Sequence, residues 1–297
     1  MKLPRVLFIL LLTVLCRVHP ALAFTLSSFD TPESIIVDPD DGSYYVSNVN
    51  GDPLTKDMNG YISKIDPSGK TVIQKFIGAG RTVGMLNAPK GLVIVGTLLF
   101  VTDIDTVRGF NKETGRLAVT ADFSKFKPRY LNDIATDNRG NIYVSDMMTN
   151  RIFKINAQKG YEVSDYTSGA QLGGPNGLLV NPKNGNLIVV TYDTGQILEI
   201  DSAGRRHTLK KGLMRLDGVD YDNQLNLYVS SFEKGEIYKI TRAGRGTITT
   251  LTSGLTSPAD ISVDRRRQEL LIPSFNSGQV STFPLTEPVK GLEKSRA

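Results

Sequence analysis

The sequence of 297 residues has one cysteine, two histidines and no tryptophan. Cys16 and His19 lie in an N-terminal segment that we expect to be removed, which leaves His207 and no thiol. The absence of thiols excludes disulfides, zinc-thiolate sites, iron–sulfur clusters and cysteine nucleophiles. One histidine also excludes a Ser-His or His-His catalytic pair within one mature chain. Any catalysis must use carboxylates, amides, Lys, Tyr or a metal held by oxygen.

The first 23 residues have the order of a secretory signal. Basic Lys2 and Arg5 precede an apolar run over 6–15, and Ala21-Leu-Ala23 is a small-residue cleavage site. The run has ten residues, whereas a bilayer-spanning helix needs about 20. A lipoprotein site at Cys16 is the alternative, but a bulky leucine precedes it. We therefore expect an exported protein, periplasmic or secreted, with no membrane attachment after cleavage.

Little net charge remains once this segment is removed. Losing Lys2, Arg5 and Arg17 lowers the formal net charge from +5 to +2. A whole-protein charge argument for nucleic-acid binding therefore fails, and we expect no nucleic-acid partner.

One short element recurs six times, at spacings of 57, 42, 44, 41 and 42 residues. The copies are Pro32-Glu-Ser-Ile35, Pro89-Lys-Gly-Leu92, Leu131-Asn-Asp-Ile134, Pro175-Asn-Gly-Leu178, Leu216-Asp-Gly-Val219 and Pro258-Ala-Asp-Ile261. Each copy is followed by runs that alternate apolar and polar residues, as half-buried strands do. About 42 residues and four strands per unit are typical of a propeller blade. The sequence therefore predicts an all-β fold, a six-bladed β-propeller with four strands per blade.

The last unit lacks its outer strand. The strand-like run Phe24–Phe29 precedes the first copy and has no other assignment. We expect it to join the last blade and close the ring, because an open seam would leave two unpaired strand edges. The predicted organisation is a signal over 1–23, a propeller over 24–285 and a polar tail over 286–297.

The innermost strand of each blade lines the central channel, so equivalent positions of the six copies form rings around one axis. The second position gives Glu33, Lys90, Asn132, Asn176, Asp217 and Ala259, and the third includes Asp133 and Asp260. Crowded carboxylates are costly unless a cation neutralises them. Oxygen ligands favour Ca²⁺, then Mg²⁺ or Mn²⁺. Two alternatives stay open: these are ordinary turn residues, or Lys90 replaces the metal as counter-charge.

At these motifs the chain resembles the senescence marker protein, gluconolactonase and luciferin-regenerating enzyme family of six-bladed propellers, over about 250 residues. The resemblance implies a divalent metal on the axis, held by Glu33, Asn176 and Asp217, with Ca²⁺ first and Mg²⁺, Mn²⁺ or Zn²⁺ as alternatives. It implies that Asn132 faces metal or substrate. Two features depart from the family pattern: Lys90 on the ring, and the absence of a tryptophan soon after the glutamate.

The first repeat is longer because of an insertion, Asn48–Gly60. In a propeller it would overhang the mouth of the ring, either as a lid that contacts substrate through Asn48 and Asn50 or as a tolerated surface loop. Equivalent loops of other blades carry Tyr192 and Phe232, which suit a small organic ligand or packing between blades.

Two functional hypotheses follow. The first is a gluconolactonase-like hydrolase of a lactone or related cyclic ester, with Asp217 or Asp133 as proton acceptor and Asn132, Lys90, Asp260, Asn48, Asn50, Tyr192 and Phe232 around the substrate. The second is a non-catalytic propeller of the NHL-repeat kind that binds a protein, glycan or small ligand. The oligomeric state is open in both.

Overall fold

The computed structural model describes residues 24–78 and 85–285. The predicted signal over 1–23 and the predicted tail over 286–297 lie outside these residues. Within them the chain forms six four-stranded antiparallel sheets, and in five of them the strands follow in sequential order from the channel outwards. The predicted six-bladed β-propeller is confirmed.

The strands of the first three blades run as follows. Blade 1 has β2 (Pro32–Val37), β3 (Tyr44–Asn48), β4 (Tyr61–Ile65) and β5 (Val72–Gly78), and the short β1 (Thr25–Ser27) precedes it in the chain. Blade 2 has β6 (Pro89–Val95), β7 (Leu98–Asp103), β8 (Thr106–Asn111) and β9 (Leu117–Ala121). Blade 3 has β10 (Leu131–Thr136), β11 (Ile142–Asp146), β12 (Arg151–Asn156) and β13 (Glu162–Ser168).

The other blades repeat this order. Blade 4 has β14 (Pro175–Val180), β15 (Leu187–Thr191), β16 (Ile197–Ile200) and β17 (Arg206–Lys210). Blade 5 has β18 (Leu216–Tyr221), β19 (Leu227–Ser231), β20 (Glu236–Ile240) and β21 (Ile248–Thr252). Blade 6 has β22 (Ser262–Asp264), β23 (Glu269–Ser274) and β24 (Gln279–Pro284).

The ring closes through β1. Thr25 pairs with Ser281 and Ser27 with Gln279, so β1 is the outermost strand of blade 6. The prediction that the run before the first repeat completes the last blade is therefore confirmed. The closure leaves β24 paired on both edges, as barrel and propeller folds require.

Each of the six interfaces between neighbouring blades has its own apolar cluster. The cluster between blades 2 and 3 joins Phe100 and Val107 to Phe153, whose ring meets that of Phe123 edge-on at 5.2 Å. Corresponding clusters fill the other five interfaces. Burial of these side chains, each worth about 1.5–3 kcal/mol, is the main force that holds the blades together.

The polar turn before the second strand of a blade repeats because one aspartate organises it. Asp137 Oδ1 accepts hydrogen bonds from the N–H groups of Arg139 and Asn141, each at 2.9 Å. Asp222 makes the same pair of contacts to Gln224 and Asn226 in blade 5. Such Asx turns fix the first hairpin of blades 3 and 5.

Helices are short in this fold. The described residues contain two 3₁₀ turns, Ala157–Lys159 and Ala170–Leu172. Neither they nor any other helix in this part of the chain could cross a bilayer.

Candidate functional site

A bulge in the innermost strand turns the repeated motif towards the channel. In five blades the pairing register shifts inside the motif, between Pro32 and Ile35, Pro89 and Leu92, Leu131 and Ile134, Pro175 and Leu178, and Leu216 and Val219. Bulges of this kind re-aim side chains. In three blades a serine of the second strand accepts a hydrogen bond from the bulged backbone, such as Ser145 Oγ from the N–H of Asp133 at 2.9 Å.

The glycines at the third position are required by the next blade. A Cβ on Gly91 would lie 2.7 Å from Asp133 Cα and 2.8 Å from the carbonyl oxygen of Asn132. Since real Cβ atoms do not approach that closely, the close approach of neighbouring inner strands depends on glycine here.

Four of the six second positions of the motif, those of blades 1, 3, 4 and 5, form the floor of a cavity of about 180 Å³. Glu33, Asn132, Asn176 and Asp217 line it together, and all four are buried. The walls above them are formed by Pro53, Tyr130, Met147, Tyr192, Phe232, Ala259 and Phe275. The structure therefore brings together the Glu, the two Asn and the Asp that the motifs aligned.

Three oxygens of this floor are buried without a hydrogen-bond partner: Glu33 Oε2, Asn132 Oδ1 and Asp217 Oδ1. The amides are otherwise engaged. Asn132 Nδ2 donates to Asn176 Oδ1, and Asn176 Nδ2 donates to the carbonyl oxygen of Leu216 at 3.2 Å. Buried unpaired acceptors are costly, so three in one small cavity suit a bound cation or a ligand that donates hydrogen bonds.

The carboxyl groups of the channel strongly resist ionisation. Burial, followed by the charges of Asp217, Asp260 and Asp133, raises the pKa of Glu33 well above its usual value. Burial and the nearby Asp260 raise the pKa of Asp217 to about 8. Burial likewise raises the pKa of Asp260 to about 7, against the opposing hydrogen bond from Ser34. A cation in the cavity would reverse these shifts, because it favours the ionised carboxylates.

The donor set fits a hard divalent cation. Carboxylate and amide oxygens are ligands that Ca²⁺, Mg²⁺ and Mn²⁺ accept, whereas Zn²⁺ favours nitrogen and sulfur. No cluster of three His, Cys, Asp or Glu side chains in residues 24–78 and 85–285 is arranged to hold a metal. The two findings agree, since half of the floor residues are amides.

Three aromatic rings form one side of the cavity wall. Tyr192 and Phe232 meet edge-on with centroids 6.4 Å apart, and Phe232 meets Phe275 in the same way at 5.8 Å. Each ring follows the second strand of a different blade, and the guanidinium of Arg215 lies 4.8 Å from the centre of the Tyr192 ring. The wall presents apolar surface to whatever occupies the cavity.

A family model described as the SMP-30/gluconolactonase/LRE-like region matches residues 31–267. The chain belongs to this family. No curated protein sequence matches it.

Solved structures show the same fold at low sequence identity. One is a catalytically inactive variant of virginiamycin B lyase from Staphylococcus aureus, solved with quinupristin. Its TM-score is 0.61 at 15% sequence identity, and the aligned region covers 89% of this chain and 99% of the lyase chain. A streptogramin B lyase has a TM-score of 0.60 at 16% sequence identity, and the aligned region covers 88% of this chain and 95% of the lyase chain. A Bacteroides thetaiotaomicron protein of unknown function has a TM-score of 0.66 at 14% sequence identity, and the aligned region covers 89% of this chain and 72% of that protein's chain.

This member of the SMP-30/gluconolactonase/LRE-like family has a lysine in the ring, and the structure accounts for its charge. Lys90 Nζ donates to the carbonyl oxygens of Ala88 at 2.9 Å and Pro53 at 3.0 Å. It lies 4.6 Å from the centre of the Tyr130 ring. Burial lowers the pKa of Lys90 to about 8. Its ammonium contacts carbonyls and an aromatic face, and forms no ion pair with the described carboxylates.

The insertion of blade 1 lies over the cavity. It connects β3 to β4, and its Pro53 is part of the cavity wall. Inside the loop, Asn50 Nδ2 donates to the carbonyl oxygen of Asn59 at 2.9 Å. On the outside, Lys56 forms an exposed ion pair with Asp105 of blade 2. The N–H of Gly60 also donates to the carbonyl oxygen of Asn87 at 3.1 Å, so the loop is tied to blade 2 and the segment before it through Lys90, Asp105 and Asn87.

Several predicted site residues lie outside this cavity. Asn48 is fully buried at the end of β3, where its amide accepts from the N–H of Asp30 at 3.1 Å and donates to Ser63 Oγ and the carbonyl oxygen of Val46. Asp103 and Asp146, at the same place in blades 2 and 3, also accept backbone N–H groups. The structure thus gives Asn48 a role in shaping the blade, and Asn50 a role within the loop.

Asp133 and Asp260 face the other end of the channel. Both line a separate cavity of about 250 Å³. Asp133 Oδ1 and Oδ2 accept the N–H groups of Ile134 and Leu178, each at 2.6 Å. Asp260 Oδ2 accepts from Ser34 Oγ at 2.6 Å. The third position of the motif therefore points away from the floor that the second position forms, because successive residues of a strand face opposite ways.

The motif alignment missed Tyr130. It immediately precedes the third copy of the motif, lies in the cavity wall and covers Lys90. The sequence does contain a signal for Tyr130, because it is a large aromatic residue directly before a motif whose second residue faces the channel.

Proposed function

We propose that this protein hydrolyses a lactone or related cyclic ester with the help of a divalent cation held by Glu33, Asn132, Asn176 and Asp217. The observation that carries the proposal is the set of three unpartnered oxygens in one aromatic-walled cavity. Ca²⁺ is the preferred ion, with Mg²⁺ or Mn²⁺ as alternatives and Zn²⁺ less favoured by the ligand set. Membership of the SMP-30/gluconolactonase/LRE-like family supports the same class of reaction.

A bound cation would polarise the ester carbonyl and make water a stronger acid. The side chains of the cavity would accept the proton and orient the substrate. Asp217 is the proposed proton acceptor, since its side chain reaches the cavity and its Oδ1 accepts no hydrogen bond. Asp133 is the weaker candidate, because both of its oxygens already accept backbone N–H groups. Asn132 and Asn176 hold each other in position and orient the substrate from the floor.

The cavity limits what the substrate can be. A volume of about 180 Å³ accepts one small ring with a short substituent. Its lining in the described part of the chain includes two carboxylates and no cationic side chain. We therefore propose an uncharged lactone as substrate, with Tyr192 and Phe232 packing against its apolar face.

Histidine-based chemistry does not suit this cavity. The one histidine among the described residues, His207, is exposed on the outermost strand of blade 4, whereas the inner strands supply the floor. The similarity to the two lyases thus contributes the fold alone.

The decisive experiment is metal content together with turnover. Elemental analysis of the purified protein is expected to give about one Ca²⁺ or Mn²⁺ per chain, lost in Glu33→Gln and retained in Glu113→Gln, which alters an exposed turn. A panel of uncharged lactones is then assayed with Asp217→Asn as the inactive control. Metal without any turnover would overturn the hydrolase.

A non-catalytic binder remains the second candidate, and buried Lys90 is the observation that favours it, since an ammonium beside the floor reduces the need for a cation. Absence of metal even in millimolar Ca²⁺, with no lactone hydrolysed, would reject the hydrolase in favour of this second candidate.

We also propose export, with a small-molecule ligand and no nucleic-acid partner. Mass spectrometry of the protein from its natural host is expected to give a chain that begins at Phe24, and an intact Met1 would contradict export.

A further inference from the structure

A second cavity lies at the opposite end of the inner strands. It measures about 370 Å³, roughly twice the volume of the candidate active site, and is lined by the last residues of the inner strands of blades 1, 2 and 6. The apolar members of its lining are Ile36, Val37, Pro39, Leu92, Val93, Ile94 and Val263. Six lining residues are shared with the cavity inside the channel, so the two spaces adjoin. Size and lining are typical of a small-molecule site, which usually has about 300–1,000 Å³.

The acidic side chains of this cavity are already neutralised. Asp38 pairs with Lys112 Nζ at 2.7 Å, and Asp264 pairs with Arg267 at 2.7 Å. Asp220 accepts the N–H groups of Tyr221 at 2.7 Å and Val263 at 2.8 Å and also pairs with Arg265. Each of the three carboxylates that line this cavity therefore has a cationic partner.

The basic side chains of the rim have spare hydrogen-bonding capacity. Arg265 and Arg266 are exposed and both line the cavity. Arg265 uses one terminal nitrogen on Asp220, and Arg266 makes no ion pair with any other residue that the structure describes. A guanidinium presents several donors in a fork that matches a carboxylate.

We propose that this cavity, which we call the lower cavity, binds an aliphatic monocarboxylate. The hydrocarbon tail lies against Ile36, Val93 and Val263, and the carboxylate lies at the rim against Arg265 and Arg266. The orientation follows from the lining, because the two guanidinium groups lie at the exposed rim and the apolar side chains lie inside. The site lies at the other mouth of the channel and does not depend on the hydrolase.

The first test is a series of ligands measured by isothermal titration calorimetry. Hexanoate, octanoate and decanoate are expected to bind with one site, and the Kd is expected to fall about fourfold per added methylene until the cavity is full. Decyltrimethylammonium has the same tail with the opposite charge and is expected not to bind. Equal binding of the cation, or no dependence on tail length, would overturn the proposal.

Variants then locate the site. Arg266→Glu is expected to weaken decanoate binding at least tenfold, whereas Arg116→Glu makes the same charge change on another exposed turn and leaves it unchanged. Val93→Phe fills the cavity and is expected to abolish binding, while Phe232→Ala at the other mouth has no effect. If decanoate binding is lost in Phe232→Ala and kept in Arg266→Glu, decanoate binds in the candidate active site and the proposal for the lower cavity is rejected. Because Arg266 is exposed, this comparison holds even if Val93→Phe does not fold.

Discussion

The Nζ of Lys90 donates a hydrogen bond of 3.0 Å to the carbonyl oxygen of Pro53, and this bond joins the inner strand of blade 2 to the insertion of blade 1. A buried ammonium thus holds a loop over the cavity that the loop helps to enclose. The lysine that departs from the family pattern thereby has a structural partner in the insertion that lengthens the first repeat.

The first prediction concerns this contact. Lys90→Met keeps the apolar length of the side chain but loses the bond to Pro53. We expect KM for a lactone substrate to rise about three- to tenfold with little change in kcat, because the loop contributes uniform binding. Lys56→Met removes only an exposed ion pair and is expected to change KM little. Equal kinetics of Lys90→Met and wild type would contradict a positioning role for Lys90.

The second prediction separates two carboxylates of the channel. Asp217→Asn is expected to lower kcat by at least about 100-fold without loss of stability, since a proton acceptor is removed. Asp133→Asn is expected to retain turnover and lose about 1–3 kcal/mol of unfolding free energy, because an amide oxygen can replace only one of the two acceptors. Lactone assays and urea titrations on both variants decide it. The reverse pattern would make Asp133 the catalytic group.

The third prediction is a pH dependence of the metal-free protein. Since the pKa values of Asp217 and Asp260 are raised to about 8 and about 7 on folding, the native state keeps protons that the unfolded chain releases near pH 4. These groups therefore lower stability as pH rises from about 4 to about 8. In chelator, we expect Tm to fall over this range and to fall less in Asp260→Asn. Added Ca²⁺ should flatten the curve, and identical curves for the two proteins would exclude these carboxyls.

The fourth prediction tests the packing of the inner strands. Gly91→Ala would push a methyl group against Asp133 and Asn132 of the next blade, with an expected cost of about 1–3 kcal/mol. Gly204 has φ +75° with open space around it, so Gly204→Ala is expected to cost about 1–2 kcal/mol from backbone strain alone. Unfolding free energies and lactone turnover are measured on both. Only Gly91→Ala should also alter turnover, since Asn132 belongs to the floor.

The fold was predictable because the repeat carries it. Six motifs at near-constant spacing fix the number of blades, and the lone strand before the first motif has one free partner, β24. Glu33, Asn132, Asn176 and Asp217 were also predictable as neighbours, since equivalent positions of a propeller meet at the axis. Their ligand and reaction are not encoded in the spacing.

What the motif could not give was the direction of each side chain. Asp133 and Asp260 follow the second-position residues by one place, and they line the other cavity because successive residues of a strand face opposite ways, whereas the aligned motif places both positions at one mouth of the channel. Asn48 begins the insertion, for which the sequence allows either a lid that contacts substrate or a surface loop, yet this last residue of β3 is buried and its amide shapes the turn that enters blade 1. The aligned motif does not predict Tyr130 as a cavity residue, because Tyr130 lies one residue before the third copy.

The pairing of Thr25 with Ser281 also has a consequence for the time course of folding. The strand β1 precedes blade 1 in the chain and belongs to the same sheet as β24, so blade 6 is complete only after the other five blades have been synthesised. Contacts of such long sequence separation slow folding, because the chain gives up the entropy of a very large loop before the contact forms. Five blades can form locally while the first strand stays unpaired. We therefore expect the pairing of β1 with β24 to be a late and slow step, during which the incomplete ring is exposed to aggregation.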